Sequence, residues 1–367
     1  MGLLRFLLAL SVVVSHTSAV SGYKLVGGVI AVEIFFILSG FYMALVLNEK
    51  YTYANGGFKI FVGNRFLKVF PVYFLVLFLS FFVNYLDGSG IFNLNNDIPL
   101  AVNILGLLTN VTLFGQDLLH FISYKDGGFV IPDYTRQFGS NSMDHLLVLP
   151  QSWTLALELY FYVIIYFVLN NKYKVYILGF ILLFSWAVKV VFYTNDLISS
   201  PYSYRFFASE LYLFMYGVGS YYLYVKVKTI KFHPVLIGLI YFILMSIVVY
   251  FFLILQEYIN LSITGPVDIY YKESIYIVFI LVVPILFHVS RKNRLDMMLG
   301  DLSYPIYIVH LLIPQLINIL EIKKNPVTLL MYIIISSILL NYIIQKPIES
   351  YRKRRVAGST PIHRTLS

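Results

Sequence analysis

Residues 152–169, from Ser152 through Leu169, read SWTLALELYFYVIIYFVL. A transmembrane helix needs about 20 predominantly apolar residues, and this stretch is long enough to serve. Yet Glu158 sits inside it. A charged side chain at the centre of a membrane helix costs roughly 2.5–3.5 kcal/mol even on lenient scales, so a helix that keeps one has a use for it. His16 poses the same question in the first hydrophobic segment. Together they point to polar chemistry inside a membrane.

The rest of the chain agrees with that setting. Of 367 residues 59% are hydrophobic and only 12% charged, with a mean hydropathy of +0.79, whereas soluble domains carry about 25% charged residues. Apolar runs recur near 3–20, 29–48, 67–86, 152–170, 175–193, 208–225, 235–255, 269–289, 302–320 and 326–345. The fold class is therefore all-α, a polytopic transmembrane bundle of about ten helices. A membrane β-barrel would show short alternating segments instead, and there are none. With no cysteine, disulfides, thiolate catalysis and cysteine-ligated metals are excluded. The histidines are scattered, so no metal site is expected. The net charge of +9 does not indicate a nucleic-acid partner, because the basic residues fall in short clusters between apolar runs, the topology signal of a membrane protein.

Those clusters are Lys50/Lys59/Arg65/Lys68, Lys172/Lys174, Lys226/Lys228/Lys231, Arg291/Lys292/Arg294 and Lys346/Arg352/Lys353/Arg354/Arg355. Every second loop is positive, which places both termini in the cytoplasm. The apolar run 100–115 then belongs on the outer side, re-entrant or packed on the bundle, within one long outer loop near 87–151. The expected organisation is a membrane domain over 1–350 and a polar basic cytoplasmic tail over 351–367. Residues 1–19 could be read as a cleaved signal peptide; a retained first helix, which keeps His16, is the expectation.

Counting 1.5 Å per residue, His16, Glu33, Glu158, Lys189, Glu210 and Glu273 all fall in outer halves of their helices, as around one hydrated cavity. Lys189, Glu210 and Glu273 are expected to snorkel to water. His16 and Glu158, deeper and flanked by apolar residues, are read as functional. Arg5 and His16 are eleven residues apart, which brings them within about 20° of one helix face. An imidazole suits proton transfer to or from a hydroxyl, and a nearby carboxylate would orient it. Arg65 and Lys68 share a face at the expected cytoplasmic start of the third helix. Spacing alone reads them as topology-setting charge, with an anion site as the alternative.

Five blocks in this order resemble the integral-membrane acyltransferase family three. They are Arg5 with His16, an Arg-x10-His spacing; Gly28 to Phe41, GVIAVEIFFILSGF; Arg65 to Tyr73, RFLKVFPVY; Trp153 to Tyr162, WTLALELYFY; and Leu299 to His310, LGDLSYPIYIVH. The resemblance extends over nearly the whole chain and implies about ten helices and O-acylation of an extracytoplasmic carbohydrate. It implies His16 as the catalytic histidine with Arg5 as its motif partner, Glu158 as the carboxylate of the Trp block, and Arg65 and Lys68 as contacts of acyl-CoA. Lys68 stands where the family has a second Arg, which keeps charge but loses the planar fork; Thr154 stands for a Ser. Glu33, Ser39, Trp153, Tyr304 and His310 are possible supporting residues, although Ser39-Gly40 could serve helix approach alone.

The function expected from this resemblance is transfer of an acyl group, foremost acetyl, from cytoplasmic acetyl-CoA to a hydroxyl of a surface polysaccharide or lipid-linked sugar. The setting would be the bacterial cytoplasmic membrane. His16 would either deprotonate the hydroxyl or carry the acyl group, and the sequence leaves both open. Tyr124, Tyr134 and Phe138 of the outer loop are candidates to stack on sugars. The competing classes are a polysaccharide polymerase or flippase working without CoA, and a secondary transporter, whose inverted repeats are not found.

Overall fold

The computed structural model describes residues 1–17, 25–51, 57–88, 99–125, 127–131, 143–195, 202–260, 266–323 and 325–359. Its helices are α1 (Gly2–Thr17), α2 (Gly28–Glu49), α3 (Gly57–Leu86), α4 (Leu100–Thr112), α5 (Trp153–Leu169), α6 (Lys174–Thr194), α7 (Tyr202–Arg205), α8 (Phe207–Val227), α9 (Pro234–Asn260), α10 (Pro266–Ser290), α11 (Arg294–Val309), α12 (Leu312–Ile319), α13 (Pro326–Leu340) and α14 (Lys346–Ser359), with a π turn at Asn341–Gln345. A small antiparallel hairpin, β1 (Ser123–Lys125) with β2 (Gly128–Val130), lies between α4 and α5. Seven helical stretches are long and apolar enough to cross a membrane, and an eighth forms if α11 and α12 are taken as one span broken by 55°.

All ten expected spans are helical, with three departures. α1 has 16 residues, about 24 Å, short of a hydrocarbon core of about 30 Å. α8 is long enough at 21 residues, but Ser209, Glu210, Ser220 and its tyrosines make it too polar to rank among the apolar spans. Its place explains this: α8 is enclosed by α2, α6 and α10. The span expected at 302–320 is interrupted between α11 and α12, and His310 stands at the break.

A further correction concerns α3, which begins at Gly57 rather than near 67. Arg65 and Lys68 therefore do not mark its mouth but lie more than two turns inside it. The early turns carry Lys59, Asn64 and Arg65, so a reading that follows apolarity starts the helix too late.

The central crossing is that of α2 on α8. A Cβ on Gly40 would lie 2.0 Å from the Phe214 carbonyl oxygen, and one on Gly217 would lie 2.0 Å from that of Ile37. Only glycine lets the two backbones approach so closely. α1 packs against both α2 and α11, α5 against α2, and α12 and α14 against α3.

Residues 100–112 form a helix of 13 residues, too short to span. It packs on the bundle, one of the two placements expected. Asn110 anchors it, donating to the Leu146 carbonyl (2.7 Å) and accepting from the Val148 N–H (2.9 Å). The Tyr73 hydroxyl of α3 donates to the Asn110 carbonyl. The polar tail expected from residue 351 begins as part of α14, and residues 360–367 lie outside the described residues.

Candidate functional site

Between α1, α2, α3, α5 and α11 lies a cavity with about 830 Å3 of empty space, its open mouth included. Arg5, Lys68, Ser39, Glu158, Thr154, Tyr304 and Tyr307 are among its lining residues. The cavity thus has a basic end at Arg5 and Lys68, a carboxylate along its wall, and a hydroxyl-rich end at Thr154 and Tyr307.

Glu158 is half-buried. One turn further along α5, the Tyr162 hydroxyl donates to Glu158 Oε2 at 2.7 Å. The tyrosine proton is then committed, so Ser39 Oγ, 3.3 Å away, donates to Tyr162. This leaves Glu158 Oε1 without a protein partner among the described residues. Tyr162 was not singled out from the sequence, though its i+4 spacing from Glu158 is the ordinary signal for a same-face pair.

At the other end Tyr307 donates to the Gln151 carbonyl (2.7 Å), and Thr154 Oγ1 lies 2.7 Å from the Tyr307 hydroxyl. Gln151 Nε2 donates to the Ile308 carbonyl (2.8 Å), in the last turn of α11. One residue past that helix, His310 is fully buried. Its Nδ1 lies 2.6 Å from the Tyr307 carbonyl oxygen. A carbonyl only accepts, so Nδ1 carries the proton and Nε2 presents a lone pair. That Nε2 is buried with no partner.

His16 lies beside it, with ring centroids 5.0 Å apart. Its Nδ1 is 2.9 Å from the Val12 carbonyl oxygen, which fixes the same tautomer. Unlike His310, the His16 ring is exposed. The N-terminus of α2 abuts it: a Cβ on Gly28 would lie 2.6 Å from Ser15 Oγ and 3.8 Å from His16 Cε1.

The expected direct partnership of Glu158 with His16 is not formed among the described residues. Glu158 belongs to the cavity wall and bonds Tyr162, whereas the side chain beside His16 is His310. Arg5 and His16, one line on paper, are likewise divided: Arg5 lines the cavity and stacks 5.7 Å from the Tyr42 ring centroid, and His16 lies beyond the hydroxyl-rich end.

The other expected residues take supporting places. Arg65 is buried on α3, its guanidinium over the rings of Phe61 (5.8 Å) and Tyr162 (6.0 Å). Tyr304 donates to the Val69 carbonyl (2.7 Å) and so pins α11 to α3 next to Lys68. Trp153 is buried outside the cavity, packed edge-on to Phe36, Tyr204 and His120 with the Arg205 guanidinium 5.7 Å from its ring.

Glu33 is not in the cavity either. Its Oε1 lies 3.5 Å from Lys189 Nζ, and Glu210 Oε1 lies 2.5 Å from the same nitrogen. The Tyr276 hydroxyl donates to Glu33 Oε2, and Lys189 also donates to the Ser203 carbonyl. Lys189, Glu33 and Glu210 are all at most 4% exposed. The expectation that Lys189 and Glu210 snorkel to water is therefore corrected: their charges are satisfied by one another across α2, α6 and α8. Glu273 is held by the Tyr216 hydroxyl at 3.0 Å.

Above the hydroxyl-rich end, the segment between α4 and α5 brings His120 Nδ1 to 2.7 Å from Arg205 Nη1 and 3.2 Å from Asp144 Oδ2. Burial pushes this imidazole below its ordinary range, Asp144 pulling it up and Arg205 pressing it further down. Tyr124 pairs edge-on with Phe129 of the hairpin, while Tyr134 and Phe138 lie outside the described residues. Among the described residues no group of His, Asp and Glu side chains could hold a metal ion.

A family model described as an acyltransferase domain, that of acyltransferase family 3, matches residues 1–346. No curated protein and no solved structure matches the chain.

Proposed function

The chain belongs to acyltransferase family 3, and on that premise we propose that it is a membrane O-acyltransferase using acyl-CoA, foremost acetyl-CoA, to esterify a hydroxyl of an extracytoplasmic carbohydrate. The acyltransferase activity comes with the family; the donor, the acceptor and the residue roles are our reading. The observation that carries it is the cavity that runs from Arg5 and Lys68 past Glu158 to Thr154 and Tyr307; His310 and His16 lie next to Tyr307, outside the cavity lining.

In this reading the basic end faces the cytoplasm, as the positive clusters favour, and holds the phosphates of the donor with Arg65 behind it. The thioester reaches along the cavity toward the histidines. The acceptor hydroxyl comes from the outer side, where His16 is exposed. Its oxygen attacks the thioester carbonyl carbon, the C–S bond breaks and an ester C–O bond forms. His16 Nε2 takes the hydroxyl proton, which ends on the departing thiolate. His310, its ring centroid 5.0 Å from that of His16, positions it. The start of α2 abuts His16, and its amides would stabilise a developing oxyanion there. The alternative route, an acyl-imidazole on His16, uses the same atoms in two steps. The membrane domain would extend over 1–350, with both termini in the bacterial cytoplasm and 351–367 as a basic tail.

The test is analysis of base-labile acetate on the surface polysaccharide of cells carrying His16→Ala, at matched protein level in the membrane. Loss of the ester with unchanged chain length is expected. Normal acetylation overturns the role of His16, and a change in chain length without ester loss points to a polymerase.

A further inference from the structure

α14 lies almost wholly beyond the residues matched by the family, which end at 346, and carries Lys346, Arg352, Lys353, Arg354 and Arg355. It is not a loose tail over its described length. It packs on α3, and a Cβ on Gly63 would lie 3.1 Å from both terminal nitrogens of Arg355.

Arg352 also turns inward. The Arg352 side chain is 12% exposed and pairs with Glu349 at 2.5 Å, but its Nε is buried with no partner. Lys353, next in sequence, is 75% exposed. Arg352 is within electrostatic reach of Arg65, and Lys68 is within reach of Arg65, Arg5 and Arg352 together. Arg65 is itself 6% exposed, and its Nε is a second buried guanidinium nitrogen with no partner. Neither Arg5, Arg65 nor Lys68 pairs with a carboxylate among the described residues. The acidic groups facing the cluster are Glu349, Glu158 and Asp301, and Glu349 is shared between Arg352 and Lys353.

Arg5 and Lys68 line the cavity, and Arg65 and Arg352 stand behind them within electrostatic reach; two of these four cations keep buried unbonded N–H groups, an arrangement that an added anion would stabilise. Guanidinium forks suit phosphate oxygens and bind them in charge-assisted pairs. We infer that Arg352 of α14 is a fourth cation of the donor site, completing with Arg5, Arg65 and Lys68 a pocket for the phosphates of the acyl donor. This rests on the reading of the donor as acyl-CoA. It makes the C-terminal helix part of donor recognition, by a residue outside every motif that carries the family resemblance.

The experiment measures binding of coenzyme A and of pantetheine, which lacks the phosphates, to the full chain in nanodiscs. Wild type, Arg352→Gln, Arg352→Lys and the exposed-residue control Lys353→Gln are compared. Arg352→Gln is expected to weaken coenzyme A binding roughly tenfold to a hundredfold, the loss of one hydrogen-bonded charge contact. Arg352→Lys should recover part of it, Lys353→Gln should match wild type, and pantetheine binding should be unchanged throughout. In acetyl transfer the same loss should raise KM for the donor with little change in kcat. Coenzyme A binding by Arg352→Gln equal to wild type overturns the inference. So does an equal loss with pantetheine, which would mark a structural role. Failure of the wild type to bind coenzyme A overturns instead the donor reading on which it rests.

Discussion

Glu158 shows how much a single side chain discloses. Its partner Tyr162 donates to Oε2, and a glutamine would still accept there, so Glu158→Gln removes the charge and keeps the bond. We expect the variant to reach the membrane at wild-type level and to lower kcat roughly tenfold, because the charge it removes lines the path along which the thioester is placed. A stopped assay of acetyl transfer by the purified protein checks this; an unchanged kcat would reduce Glu158 to a structural partner of Tyr162. Glu158 could be singled out in the sequence because an ionisable group among apolar neighbours is expensive wherever it points. Which atom it touches was not, since depth along a helix says nothing of azimuth once helices tilt. The same limit explains why Arg5 and His16, nearly in line on an ideal helix, meet different neighbours: α1 is flanked by both α2 and α11, and each residue answers to the one it faces.

Among the elements, the α2–α8 crossing is the most demanding. Gly217→Leu would place its Cβ 2.0 Å from the Ile37 carbonyl oxygen, so the helices must separate. The expected outcome is failure of the chain to accumulate as a monodisperse species in detergent, judged by fluorescence-detected gel filtration. Gly219→Leu, with nothing within 4 Å of its Cβ position, should behave as wild type. The glycine of Ser39-Gly40 was readable as a close-approach residue, but its counterpart in α8 was not, because Gly217 and Gly219 look alike in a sequence. Helix existence was legible nearly throughout from runs of apolar residues. Helix starts and breaks were not: the polar first turns of α3 hid its beginning, and the apolar run through His310 hid the interruption.

At the scale of the whole molecule, the Lys189 cluster joins α2, α6 and α8, with Tyr276 adding α10. Lys189→Met would leave two buried carboxylates without their cation and should cost about 3–5 kcal/mol, read as a lowered Tm of the detergent-solubilised protein. Lys189→Met with Glu210→Gln should recover part of that loss. No recovery would show that the lysine acts through packing rather than charge. This cluster was misread from sequence because its members are far apart along the chain, and a long cationic stem looks able to reach water until the neighbouring helices close over it. The cavity was foreseen as one wet space shared by all the polar groups; the protein instead separates the Lys189 charge cluster from the polar groups that line the cavity.

The π turn at Asn341–Gln345 decides how the last of these elements meets the rest. Such a turn carries one residue more than the regular helix around it, and each residue turns the helix by about 100°. It therefore resets the phase between the membrane-embedded α13 and the basic α14 by roughly a quarter of a revolution. In an unbroken α-helical rod, Arg352 would swing off the α3 side and another residue would take its bearing. A local irregularity of backbone winding thus acts as the indexing pin that aims Arg352.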